Sequence, residues 1–209
     1  MSNEMKQMII DLLLETERPG MGDLCTHMEE IGFFSAPCSG GNHLACEGGL
    51  AEHSYNVYRI MNVDAAHKLS TDEYGAMRDA IIITSLLHDL GKCGDYGKPN
   101  YVPNMIKDGR PTKAEPEQKY KQSEDKPFKT NPELMYVPHE VRSIAIAERF
   151  ISLTEEEEHA IYYHNGKYTH TGYDLKETPL QMLLHSADLW ASRVIESEDK
   201  NGRSMETSR

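Results

Sequence analysis

The chain lacks any stretch approaching the roughly 18 consecutive apolar residues that a membrane-spanning helix needs. Its first fifteen residues also lack the basic, apolar, small-residue layout of a secretory signal. The expectation is a soluble cytoplasmic protein with no membrane partner. Positive charge is scarce: 22 Lys and Arg stand against 34 Asp and Glu, a formal net charge of −12. A long footprint on DNA or RNA depends on clustered cations and is not expected; a small anionic substrate held through metal ions is compatible with the charge. The 4 cysteines form no C-x-x-C pair, so free thiols in a reducing compartment are expected. Cys38 and Cys46 flank His43 as a small zinc site would require, but their spacing matches no common structural template.

What is present reads as helix. At 209 residues the chain suits one domain, over 1–197, that can bury a core without disulfides, followed by a polar tail at 198–209 expected to fray. Apolar residues at helical spacing predict packing helices over residues 4–16 and Asp23–Ile31. The Gly-, Ser- and Asn-rich stretch from Gly32 to Gly49 predicts an ordered loop leading into a helix that carries His53. From Glu73 to Leu90 the chain is apolar nearly all round, as in a central packed helix, with Gly91 as its stop. Further helices are predicted from Pro138 through Val141, Ile144, Ala145, Ala147 and Ile151, and from the capping box Thr154/Glu157 to Gly166. The last runs from Thr178 to Ser197, with Leu180, Met182, Leu183, Leu184, Ala187, Leu189 and Trp190 on its apolar side.

Residues 94–137 differ, with many prolines, eight of the Lys and Arg, and few aliphatics. They read as an insertion, with a hairpin turning at Asp108-Gly109 between Tyr101-Val102 and Lys119-Tyr120-Lys121. Its seven acids nearly cancel its eight bases, which leaves its role open, a lid over a site included. With one hairpin as the only strand signal, the expected fold class is all-α.

Chemistry is concentrated in His53, His88, Asp89, His139, His164 and Asp188, each carried by an apolar helix or its terminus. Taken singly, a histidine near a helix end is ordinarily a hydrogen-bonded or surface side chain. The set carries more weight, above all His88-Asp89, because an unpaired acid at the end of an apolar helix is costly. Imidazole and carboxylate without thiolate suit Mn, Fe, Co, Ni or Zn in an open site.

Three segments, Gly48-Gly49-Leu50-Ala51-Glu52-His53-Ser54, Leu86-Leu87-His88-Asp89-Leu90-Gly91-Lys92 and Leu183-Leu184-His185-Ser186-Ala187-Asp188, resemble the H…HD…D signature of the HD-domain superfamily. The loop from Phe33 through His43-Leu44-Ala45 to His53 is similar to the HD domain of bacterial 3′-to-5′ exoribonucleases, without their OB-fold. The resemblance implies a bundle of at least five helices. In it His53, His88, Asp89 and Asp188 hold one divalent ion, and His139 and His164 help hold a second, bridged to the first by Asp89.

The activity implied is hydrolysis of a phosphate ester of a nucleotide or short oligonucleotide by a metal-activated hydroxide, with Asp89 and Lys92 catalytic. Lys92 reads equally as a helix-end cation. Asn165 and Lys167 are candidate phosphate contacts. His185 would orient a ligand through a supporting hydrogen bond or simply pack. Two other readings stay open: a di-iron oxygenase, whose HD-x-x-K string His88–Lys92 also fits, and a nucleotide sensor without turnover.

Overall fold

The structure is a computed structural model and describes residues 2–111, 116–166 and 176–197. The tail at 198–209 and Lys167 lie outside the described residues. Seven α-helices occur among them: α1 Asn3–Glu15, α2 Met21–Glu30, α3 Gly49–Lys68, α4 Thr71–Leu87, α5 His139–Ala147, α6 Glu155–Tyr162 and α7 Pro179–Trp190. A 3-10 turn, Leu90–Cys93, continues from α4, and a π-helical turn, Ala191–Ile195, continues from α7.

Local chemistry sets the helix starts. Ser70 caps α4 and Thr154 caps α6, each in a reciprocal capping box with the glutamate three residues on, Glu73 and Glu157. Glu157 is also buried against Arg18, with nitrogen–oxygen distances of 2.8 and 2.9 Å, which ties the α1–α2 connection to α6.

Helix α4 is the centre of the fold. All seven residues from Ile81 to Leu87 are buried, so every face of its last two turns meets another element. α3 lies alongside it, α1, α2 and α5 share one cluster of buried side chains with it, and Val57, Met61 and Ile81 join Leu180, Leu184 and Ala187 of α7 in a second. Burying apolar side chains all round leaves the end of α4 with no route for a charged residue except into the protein.

The all-α expectation is overturned by three small antiparallel pairings between residues 94 and 130. β1 (Gly94–Asp95) pairs with β2 (Lys98–Pro99), β3 (Tyr101–Pro103) with β6 (Phe128–Thr130), and β4 (Met105–Asp108) with β5 (Lys119–Gln122). The expected hairpin partners are also corrected: Tyr101 sits opposite Thr130, and Lys119–Gln122 face Met105–Asp108 instead. The two ladders are nested, with Asn104 and Ser123 hydrogen bonded between them at 2.9 Å. The strands are only two to four residues long, too short to show alternation, and β4 and β5 are exposed throughout. Backbone pairing and polar side-chain contacts hold them, among them Gln122 Nε2 donating to the Pro127 carbonyl, so the hydrophobic period gave no signal.

Two helix faces also differ from expectation. In α7 the buried apolar residues are Leu180, Leu183, Leu184 and Ala187, whereas Met182, Leu189 and Trp190 are exposed; only the first set keeps the i, i+3, i+4, i+7 stripe. In α5 the buried face is largely polar, with Glu140, Arg142 and Ser143 inside and Val141 outside.

Candidate metal centre

Five helix ends or faces converge on Asp89, which is 1% exposed and sits where α4 gives way to the 3-10 turn. α3 supplies His53, the end of α4 His88, the first residue of α5 His139, the turn after α6 His164, and α7 Asp188. The turn after Asp89 packs directly on α5. A Cβ on Gly91 would lie 2.3 Å from the His139 carbonyl oxygen and 2.8 Å from Arg142 Cβ. Gly91, expected as a helix stop, is therefore required for close approach, and its own N–H donates to Ser143 Oγ at 2.8 Å.

The two carboxylate oxygens of Asp89 face different histidines. Oδ2 is 3.5 Å from His53 Nε2 and 3.4 Å from His88 Nε2. Oδ1 is 3.1 Å from His139 Nε2 and 3.7 Å from His164 Nε2. Asp188 Oδ1 lies 3.1 Å from His53 Nε2. Three overlapping groups, His53/His88/Asp89, His88/His164/Asp188 and Asp89/His139/His164, each present ligand atoms within 4.8 Å of one another.

The outer nitrogens of these rings are tied down. His88 Nδ1 donates to the Ser85 carbonyl at 2.9 Å and His164 Nδ1 to the Ile161 carbonyl at 2.7 Å. His53 Nδ1 donates to Glu196 at 2.9 Å, and His139 Nδ1 lies 3.4 Å from Glu140. A proton held on Nδ1 leaves the Nε2 lone pair facing inward, the tautomer a metal requires. His53 Nε2, His88 Nε2 and Asp89 Oδ1 are buried with no aligned hydrogen-bond partner. Leaving such atoms unsatisfied is unfavourable, and a cation among them removes the deficit, so the residues present fit a divalent ion.

Electrostatics agree with this fit. Burial, reinforced by the neighbouring His88, pushes His164 down to about 3, so its ring is neutral. Burial acts against the charged form of His53 too, but Asp188, Glu196 and Asp89 outweigh it and raise it to about 9 without metal. Asp89 and Asp188 are held below the usual carboxylate range: burial opposes this, but Lys92 and His88 hold Asp89 down, and His53, His88 and His164 hold Asp188 down. A divalent ion held by His53 would have to displace its proton.

The remaining sequence candidates fall as follows. Lys92 Nζ lies 2.6 Å from Asp89 Oδ2, paired to the central carboxylate. Asn165 Nδ2 is 3.0 Å from His164 Nε2 and donates to Glu140 Oε1 at 2.9 Å. His185 Nδ1 donates to the His164 carbonyl at 2.7 Å and packs on Gly166, whose φ is +67°. It thus shapes the turn bearing His164 and does not touch a ligand ring. Cys46 is exposed and joins none of the ligand groups.

Glu196 escaped the sequence reading. It is buried, accepts from His53 Nδ1 and Asn56 Nδ2 (3.0 Å), and lies 2.7 Å from His43 Nδ1. Eight residues beyond Asp188, regular α-helical spacing would place it about 80° away around the helix. The wider π turn between them, closed by Glu196 N–H to the Ala191 carbonyl at 2.9 Å, rotates it back toward the site. Such turns are frequent at functional sites.

No family model matches the chain, nor does any curated protein or solved structure. The chain is helix-rich with a buried His/Asp cluster able to hold a metal ion, an arrangement compatible with an HD-type site. No helix among the described residues is long and apolar enough to cross a membrane.

Proposed function

We propose that this protein is an HD-type metal-dependent phosphohydrolase acting on a phosphate ester of a nucleotide or short oligonucleotide. The observation that carries the reading is the division of Asp89, one oxygen toward His53 and His88 and the other toward His139 and His164. A carboxylate so placed suits two ions, one held with His53, His88 and Asp188 and the other with His139 and His164. Bound Mn, Fe, Co, Ni or Zn would polarise phosphoryl oxygens and acidify a water enough to attack at neutral pH.

The chain's own groups do the rest. The Nδ1 hydrogen bonds of His53, His88 and His164 turn the Nε2 atoms of these rings inward. Lys92 neutralises part of the charge on Asp89 and borders a cavity of about 140 Å³ shared with His139 and Tyr101, which supports a role for it at a phosphoryl oxygen. On the other flank, Asn165, Asp188, Ser192 and Arg193 border a cavity of about 410 Å³, within the range of small-molecule clefts. Arg193 is exposed and has no ion-pair partner among the described residues, so its guanidinium is available to a phosphate.

The test is a screen of nucleoside monophosphates, dinucleotides and bis(p-nitrophenyl) phosphate with added Mn²⁺. Phosphate-ester cleavage that is lost in Asp89→Asn supports the reading. Two bound irons with substrate-dependent oxygen uptake and no cleavage would replace it with an oxygenase, and metal-dependent nucleotide binding without turnover would make it a sensor.

A further inference from the structure

A fourth ligand group lies beside the centre and shares His53 with it, adding two side chains, Cys38 and His43, that the proposed hydrolase does not use. Cys38, His43 and His53 each offer a ligand atom within 4.8 Å of the others. Cys38 is fully buried, and its Sγ lies 4.0 Å from His43 Nε2, at the outer limit of a sulfur hydrogen bond. His43 Nδ1 lies 2.7 Å from Glu196 Oε2, so its ring has the same arrangement as His53: Nδ1 against a carboxylate, Nε2 toward a prospective ligand partner. His53 Nε2 is itself buried without an aligned partner.

Thiol, imidazole and carboxylate in this order also describe an activated nucleophile. Cys38 is unsuited to that role: it has no exposed surface and borders neither of the two cavities flanking the centre. A metal ion does not need a cleft, because its ligands enclose it. The combination of one sulfur with imidazole nitrogens selects borderline-soft ions, zinc foremost.

We propose that Cys38, His43 and His53 form a thiolate-bearing metal position for a zinc-like divalent cation, overlapping the His/Asp centre through His53. Binding releases the Cys38 S–H proton and the proton that His53 carries without metal to solvent, and forms metal–sulfur and metal–nitrogen bonds with no change of oxidation state. Because one imidazole serves both places, an ion at Cys38 and an ion at the His53 corner of the main centre compete. The inference holds whether or not the protein hydrolyses phosphate esters.

Cobalt(II) titration of the full chain under reducing conditions reads this directly, because only a thiolate ligand gives an intense sulfur-to-cobalt charge-transfer absorption in the near ultraviolet. The band is expected in the wild type, unchanged in Cys46→Ser, and absent in Cys38→Ser. In Asp89→Ala it should persist and develop at lower cobalt, since the competing centre is gone. Helix content by circular dichroism checks each variant, and His43→Ala, which should also lose the band, replaces Cys38→Ser if that variant does not fold. No band in either the wild type or Asp89→Ala overturns the proposal, as does a band that survives Cys38→Ser. Phosphate-ester cleavage is scored separately, so failure of one reading is distinguishable from failure of the other.

Discussion

Glu196 Oε2 accepts a hydrogen bond from His53 Nδ1 at 2.9 Å, joining residues 143 positions apart in the chain. The contact fixes which nitrogen of His53 is free and makes that nitrogen more basic. Glu196→Gln should therefore lower affinity for the first divalent ion by roughly 10- to 100-fold while leaving the helices intact, in line with other carboxylate–histidine–metal relays. Competition against a chromophoric chelator measures this. Unaltered affinity would mean that packing alone orients the ring.

Gly91 touches the same centre from the opposite side. In Gly91→Ala the new Cβ would be 2.3 Å from the His139 carbonyl oxygen, so α5 must shift and take His139 with it. The variant should lose about 1–3 kcal/mol of stability, as overpacked sites do, and bind its second metal more weakly than its first. Chemical denaturation and metal titration report the two effects separately.

These two residues show where the sequence was legible. His88-Asp89 stood out because a polar pair ends a helix that is apolar nearly all round, and Asp188 because an apolar helix carries it in a segment that resembles the end of the H…HD…D signature. Glu196 did not, since it falls among polar residues and reaches His53 only through a π turn, which leaves no mark in a 3.6-residue period. The orientation of α5 was hidden for the opposite reason. Its buried face carries Glu140, Arg142 and Ser143 before Ile146 and Ala147, so in its first turns, where the interior is a polar site, apolar periodicity points to the wrong side, while Ala147 and Ile151 are buried as expected. The strands between 94 and 130 were largely invisible because β4 and β5 bury nothing.

Asp95 provides a pH-dependent contribution away from the centre. It is 5% exposed and makes a forked pair with Arg149, one arm at 3.1 Å, and it accepts the Tyr96 N–H at 2.8 Å. Burial alone would raise its carboxyl, but Arg149 and the Tyr96 N–H prevail and hold it below the usual range. A depressed carboxylate stabilises the fold fully above its unfolded pKa of about 3.9, and that contribution is lost as pH falls through the lower folded value. The Tm of Asp95→Asn should lie well below wild type near neutrality and converge with it only as pH falls below the unfolded carboxylate value and through the lower folded one. A gap independent of pH would contradict this.

The tip of the insertion should be dispensable. Residues 105–111 and 117 and 119–122 are exposed or half-exposed, and Ser123 N–H already donates to the Asn104 carbonyl at 2.9 Å. Deleting 105–122 and joining Asn104 to Ser123 should change stability by no more than about 1 kcal/mol, as for exposed segments generally, and leave metal content unchanged. Loss of folding would place the hairpin in the core.

The most direct test of the centre is elemental analysis of metal per chain in the Cys38→Ser background, with and without Asp89→Ala or His139→Ala. Because Asp89 serves both positions and His139 only one, and with Cys38→Ser present throughout to remove the thiolate position, the protein should carry about two ions, His139→Ala about one, and Asp89→Ala about none. Equal metal content in the two variants would contradict a centre bridged by Asp89.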